Sequence, residues 1–302
     1  MKRVIYSLYI DIPDDLLGDD LPYKGDNVSK NLRTKLQFKQ YSEFLTSKHK
    51  EYADHISADY FLFEYDEQYQ SFERSFMAQY PEVNYYCIVN FYKIHMLYKL
   101  AEQYDEVLYL DFDAVPTTRE NFFDLDLANN GIACKRNTRG ESGNIFLARG
   151  SERETFYKRE EGHRLFTDRA PEAKFWNCMA MLQFTGHDGM NDIFNTGVVG
   201  ADKEHLKKLE YWDDFDDTYD LMTEVKNEEG MFPDHITRSF GYDNETIFSY
   251  KIKTTEVKNF DLTDWHFIHS DETRFIDRNA KIVHMISKKF DLLEKHYEKI
   301  NL

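Results

Sequence analysis

The chain has 302 residues, 41% of them hydrophobic and 16% aromatic, with 24 Phe and 21 Tyr. That length allows one large domain or two smaller ones around a sizeable core, and the aromatic content excludes disorder for most of it. Against 38 basic side chains stand 55 acidic ones, a net charge of −17, which argues against non-specific binding to nucleic acid or to an anionic membrane.

Cys87, Cys134 and Cys178 are odd in number and form no CxxC pair. They read as free thiols of a reducing compartment, and a structural zinc site is not expected. No run approaches the roughly 20 apolar residues of a membrane span. The opening "MKRVIYSLYIDIPDD" is basic and then apolar, but Asp11 interrupts it before a signal-peptide core is complete. The expectation is a first strand in a cytoplasmic protein.

In chain order, "RVIYSLYI" (3–10) is rich in β-branched and aromatic residues and predicts a strand. Asp, Pro and Gly concentrate at 11–27, which predicts a loop. Between 29 and 56, Leu32, Leu36, Tyr41, Phe44 and Leu45 recur at helical intervals. "YFLFEY" (60–65) predicts a second strand, residues 84–104 a long apolar helix, and "EVLYL" (106–110) a third strand. This β–α–β–α–β order predicts a parallel sheet with right-handed crossovers, with ligands bound beyond the carboxyl ends of its strands.

The second half is less regular. "GIACK" (131–135) and "FNTGVVGA" (194–201) predict strands, with a polar helical stretch between them around Arg136, Arg139, Arg149 and Arg153. "HLKKLEYW" (205–212) and "DNETIFSYKI" (243–252) predict helices, "WHFIH" (265–269) and "KIVHMI" (281–286) short strands, and Phe290 to about Ile300 a closing helix. There is no internal repeat, linker or low-complexity tract, so a single domain is expected.

The third predicted strand runs into Asp111 and Asp113 of "LYLDFDAV". Strand residues two apart share a face, so the two carboxylates project together. Close carboxylates repel unless they share a proton or a cation, and hard oxygens suit Mg²⁺ or Mn²⁺. An ordinary strand end followed by a polar turn is the plain alternative. Two enzyme chemistries also fit: a glycosyltransferase that holds a sugar-nucleotide diphosphate through a metal, and a phosphatase of the haloacid dehalogenase type with Asp111 as nucleophile. In the phosphatase pattern the motif ends the first strand, whereas here βαβα precedes it, and no convincing lysine and paired-acid motif follows.

Several stretches together resemble one family. "VLYLDFDAV", "YKIHMLYKL" (92–100), "FNTGVVGAD" (194–202), "GYDNETIF" (241–248) and "IVHMISKKF" (282–290) follow the order of motifs in the GT-A glycosyltransferases. The likeness is to the retaining glycosyltransferase family 8, the glycogenin and lipopolysaccharide galactosyl- and glucosyltransferase type, and it spans nearly the whole chain. It implies an α/β, Rossmann-like fold with a central mostly parallel sheet, divided into a nucleotide-binding half (1–115) and an acceptor-binding half (116–302) with a C-terminal phosphate loop. It implies Mn²⁺ (or Mg²⁺) held by Asp111, Asp113 and His284. It also implies a UDP-sugar donor, retention of configuration, and a glycan, lipid-linked or protein acceptor, with no nucleic-acid partner. A catalytically inactive sugar-nucleotide binder remains an alternative.

By the same resemblance Ser7, Tyr9, Asp11, Lys93, Asp111, Phe112, Asn195, Gly197, Lys288 and Lys289 contact the donor, Asn195 and Asp243 serve catalysis, and 135–153 and 155–190 shape acceptor recognition. On chemistry alone, Asn195 offers donor and acceptor to sugar hydroxyls or belongs to a turn within a strand. Asp243 would stabilise a cationic sugar or cap the helix it precedes. Tyr9 would stack on a base and Asp11 bond its edge, or they are a packed strand tyrosine and a loop acid. Lys93 is equally suited to a solvated helix face. The family's loop carries glycine three residues after the histidine; here that residue is Ser287, and which of Lys288 and Lys289 meets phosphate stays open.

Overall fold

The computed structural model describes residues 1–17, 29–137, 170–188, 191–228, 241–271 and 273–300. Most of the 11–27 loop, Arg139, Arg149 and Arg153, and the first part of the 155–190 segment lie outside them. Packing divides the chain into two compact units. One comprises Met1–Ala133, Gly197–Lys203 and Leu262–Leu302, the other Cys134–Thr196 and Glu204–Asp261. Both are assembled from separated stretches.

In the first unit, β1 (Arg3–Tyr9) is followed by α1 (Lys30–His55), β2 (Asp59–Glu64), α2 (Glu67–Gln79), α3 (Tyr85–Ala101) and β3 (Glu106–Leu110). The helices begin where a polar side chain satisfies an otherwise orphaned backbone donor. Ser29 accepts from Leu32 N at 3.2 Å, Asp66 from Tyr69 N at 2.9 Å and Asn84 from Cys87 N at 2.9 Å. Helix α3 is apolar on nearly every side and accordingly buried along most of its length, Lys93 included. Sequence reading did not anticipate α2, although its buried Tyr69, Glu73 and Phe76 lie at helical spacing.

Strands β2, β1 and β3 lie side by side in that order and are all parallel, as the element order predicts. The C-terminal part of β6 (Ile193–Asp202) then runs antiparallel to β3, from Glu106↔Asp202 to Leu110↔Val198. The sheet is thus mostly parallel, with β6 running against β3, a common arrangement in mixed α/β folds. A smaller sheet joins β4 (Ala114–Pro116), β9 (Ile282–His284) and β8 (His266–Ile268), with β9 central, antiparallel to β4 and parallel to β8. Beneath it Leu45, Phe112, Val115, Val283, Met285, Phe290 and Leu293 form a closed apolar cluster. The last two belong to α9 (Phe290–Ile300), the closing helix expected from sequence. Short α4 (Leu127–Asn130) leads into β5 (Ile132–Asn137).

The second unit holds α5 (Ala170–Phe184), α6 (Lys203–Leu209), α7 (Phe215–Asn227), α8 (Asn244–Thr255) and β7 (Asn259–Asp261), with β5 between β6 and β7. Helix α7 was also unanticipated; Phe215, Tyr219, Met222 and Val225 make its buried stripe. Burial pushes the Cys134 and Cys178 thiols up, which leaves them unreactive. The cysteines form no disulfide.

Candidate metal centre and adjoining cleft

Asp111 and Asp113 follow β3 at its carboxyl end, and His284 ends β9. The β4–β9 pairing sets Ala114 opposite His284, which brings the histidine beside both acids. Its Nε2 lies 3.5 Å from Asp111 Oδ2 and 3.5 Å from Asp113 Oδ1. One ligand atom from each of the three residues falls within 4.8 Å of the others.

Each of the three spends one polar atom on a neighbour and turns the other inward. Asp111 Oδ1 accepts from the Tyr109 hydroxyl at 2.6 Å and from Lys93 Nζ at 3.4 Å, leaving Oδ2 toward His284. Asp113 Oδ2 is taken by Lys288 Nζ, leaving Oδ1. His284 Nδ1 meets His266 Nε2 at 3.0 Å, leaving Nε2. Two hard carboxylate oxygens and one imidazole nitrogen, largely buried, are a donor set that fits Mn²⁺ or Mg²⁺.

The electrostatics agree with that fit. Burial alone would raise the Asp113 pKa, but the Lys288 ammonium and His284 beside it hold the carboxyl well below the usual carboxylate range. Tyr109 is pushed well upward, first by burial and then by the charge of Asp111, so it keeps the proton it donates. Gly197 makes the approach possible: a Cβ there would stand 2.4 Å from His284 Cε1 and 2.8 Å from Asp111 Oδ2.

Asp111 and Asp113 open on a cleft of about 320 Å³ that is also lined by Tyr9, Asp11, Phe112 and Lys288. The Tyr9 and Phe112 rings stack, with centroids 5.0 Å apart and planes at 19°. Lys35 Nζ ties the wall near Asp11, bonding Ile12 O at 2.7 Å and pairing with Asp14 at 2.6 Å and Asp11 at 3.2 Å. Lys288 is the one residue of its turn with a left-handed backbone, φ 57°, which carries its ammonium to Asp113 and over the Phe38 ring at 4.9 Å.

Several expected donor contacts, Ser7, Lys93, Gly197 and Lys289 among them, do not line the cleft. Ser7 shares a strand face with Tyr9 but lies one pleat deeper, fully buried with its hydroxyl 3.5 Å from His49 Nδ1. Lys289 pairs with Asp271 at 3.7 Å, and Lys288 takes the position beside the acids. Lys93 is buried behind Asp111 rather than on a solvated helix face.

In the second unit, Asp243 is the N-cap of α8. Its Oδ1 accepts from Thr246 N and its Oδ2 from Thr246 Oγ1, both at 3.0 Å. Burial, with Glu245 nearby, raises its pKa despite Lys174. Asn195 Nδ2 donates to Glu245 Oε1 at 3.1 Å, and the same oxygen accepts from Thr196 N at 3.0 Å, while Lys174 bonds Glu245 Oε2 at 2.5 Å. Sequence reading passed over Glu245 and Lys174, and also Tyr109 and His266. Tyr109 was within reach, since it stands two residues before Asp111 on the same strand.

No protein-family model and no curated protein sequence matches the chain. Solved structures do match. One is a glycosyltransferase involved in glycosylation of the major capsid of PBCV-1, at 13% identity and TM-score 0.40 over the whole of both chains. Another is the galactosyltransferase LgtC in complex with donor and acceptor sugar analogs, at 13% identity and TM-score 0.43, covering 99% of this chain and 95% of that one. An active-site mutant of LgtC matches at 14% identity and TM-score 0.42, covering 94% and 87%. These likenesses are remote.

Proposed function

We propose that this protein is a metal-dependent GT-A glycosyltransferase of the family 8 type, moving a sugar from a UDP-sugar to a glycan, lipid-linked or protein acceptor with retention. The observation that carries the reading is the convergence of Asp111 Oδ2, Asp113 Oδ1 and His284 Nε2, each left by a neighbour that occupies the residue's other polar atom. Asp111 and Asp113 also line the cleft, whose wall offers a stacked tyrosine–phenylalanine pair.

In this reading Asp111, Asp113 and His284 hold Mn²⁺ or Mg²⁺, which when bound supplies Lewis-acid neutralisation of a departing diphosphate. Tyr9 presents an aromatic face to the base and Asp11 an acceptor to its edge. Lys288 adds a positive charge at the cleft wall, where negative charge develops on the leaving group. Lys93 and Tyr109 fix the orientation of Asp111. Asn195 contacts the donor sugar. Asp243, whose oxygens both serve Thr246, acts on the sugar only if it exchanges that cap. No helix among the described residues is long and apolar enough to cross a membrane, and the thiols suit the cytoplasm.

Calorimetric titration with nucleotide sugars, with and without Mn²⁺, tests this. One UDP-sugar should bind in a Mn²⁺-dependent manner, and Asp113→Ala should abolish that dependence. Affinity indifferent to both metal and substitution would refute the metal role. A stable beryllofluoride adduct on Asp111 would replace the transferase with a phosphatase.

A further inference from the structure

The small sheet carries a second histidine beside the metal triad. In the β8–β9 register His266 stands opposite Ile282 and Ile268 opposite His284, so the two histidines are diagonal neighbours on one face. Their rings lie 5.2 Å apart with planes at 19°, and His266 Nε2 is 3.0 Å from His284 Nδ1. His266 is wholly buried. The backbone around the pair is pinned: His266 N donates to Leu262 O at 2.7 Å, Ile282 N to Trp265 O at 2.8 Å, and His269 N to His284 O at 2.9 Å. An apolar residue would fill such a position without the cost of burying a polar ring.

A neutral imidazole has one N–H and one bare nitrogen. For the bare nitrogen of His284 to be the Nε2 that faces Asp111 and Asp113, its hydrogen must sit on Nδ1. That N–H points at His266 Nε2, which accepts it only when His266 carries its own hydrogen on Nδ1. With the opposite assignment His266 donates, and His284 turns an N–H instead of a lone pair toward the acids.

We propose that His266 is a positioning residue for a divalent cation at His284. It accepts the Nδ1–H, fixes the ligating tautomer and, through the near-parallel ring contact, fixes the plane of the imidazole. The proposal rests on the metal reading above. Outer groups that orient a ligating histidine in this way generally govern affinity and not only packing.

The test compares wild type, His266→Phe and His266→Gln by Mn²⁺ titration under electron paramagnetic resonance, with melting temperatures as a check on folding. In parallel, ring-¹⁵N NMR of the Mg²⁺-loaded wild type assigns the tautomers. His266→Phe keeps the ring contact and loses the acceptor, and should bind Mn²⁺ about 10–100-fold more weakly. His266→Gln presents an amide oxygen and should recover most of that loss. The NMR should show His284 protonated on Nδ1. A folded His266→Phe with wild-type Mn²⁺ affinity, or His284 protonated on Nε2 with Mg²⁺ bound, would overturn the role of His266 alone. A wild-type protein that binds neither cation would overturn the metal reading and this inference together. Should His266→Phe fail to fold, the wild-type tautomer decides.

Discussion

Substituting alanine for Gly197 probes the closest approach in the proposed metal centre. No left-handed backbone angle is involved at this glycine, so the change is one added methyl group. That methyl would stand 2.4 Å from His284 Cε1, and ordinary contact begins near 3.4 Å, so the imidazole must retreat by about 1 Å. Metal–ligand distances are fixed to roughly 0.2 Å; a retreat several times larger removes His284 from the donor set, and Asp111 Oδ2, 2.8 Å from the same methyl, must shift as well. Overpacking of this kind costs about 1–3 kcal/mol. To the extent that this strain falls on the cation-bound state, it amounts to about 5- to 150-fold in affinity. Mn²⁺ titration by electron paramagnetic resonance or calorimetry reads this directly, with thermal unfolding showing that the variant is folded. A Gly197→Ala protein with wild-type melting and unchanged Mn²⁺ affinity would refute the convergence of ligand atoms at this point.

Two further outcomes concern the frame that holds the centre. Burial lowers the His49 pKa to about 4 even though its ring bonds Ala114 O at 2.9 Å. Between about 6.5 and 4 the unfolded chain therefore binds the proton that the folded one refuses, and stability falls with pH by about 2.5 kcal/mol by pH 4.5. Urea unfolding of His49→Gln at pH 7 and 4.5 should show that much less loss than wild type, and an equal loss would rule the group out. Phe290 is fully buried between Phe38 and Tyr41, with ring centroids at 5.9 and 5.4 Å. Phe290→Ala should cost about 3–5 kcal/mol in chemical denaturation, and a loss within the error of the method would mean that the cluster under the small sheet is not a core.

What could be read from sequence follows from how local each signal is. Strands β1, β2 and β3 announced themselves because each is a short apolar run, and α1 and α9 because their apolar spacing is regular. The acid pair was legible since both residues sit at one strand end, whereas His284 was reached only through the family resemblance. The reversal of β6 was not legible: strand direction depends on where the chain returns, and "FNTGVVGA" reads the same either way. Nor was the fate of Ser7, because the period of two puts it on the same face as Tyr9 without telling how deep the cleft reaches. The left-handed residue of the last turn is Lys288, not the Ser287 that stands at the glycine position; only the turn's own geometry decides which residue bears the positive φ. His266 was visible merely as one histidine among eleven, and its register opposite Ile282 singles it out.

The two acids lie well inside the chain and the late groups that complete their surroundings come from near its C-terminus; Asp113 and Lys288 are 175 residues apart. Strand β4 is only three residues long and finds its antiparallel partner in β9. Closing a loop of that size costs entropy that no local contact returns until the partner strand arrives. During vectorial synthesis, therefore, Asp111 emerges after its partners Lys93 and Tyr109, while Asp113 waits for Lys288 and His284 until most of the protein is made. The centre comes into being only when β9 docks, so a ribosome-bound chain halted before residue 282 would be able to build β1, β2 and β3 yet have no place for a cation.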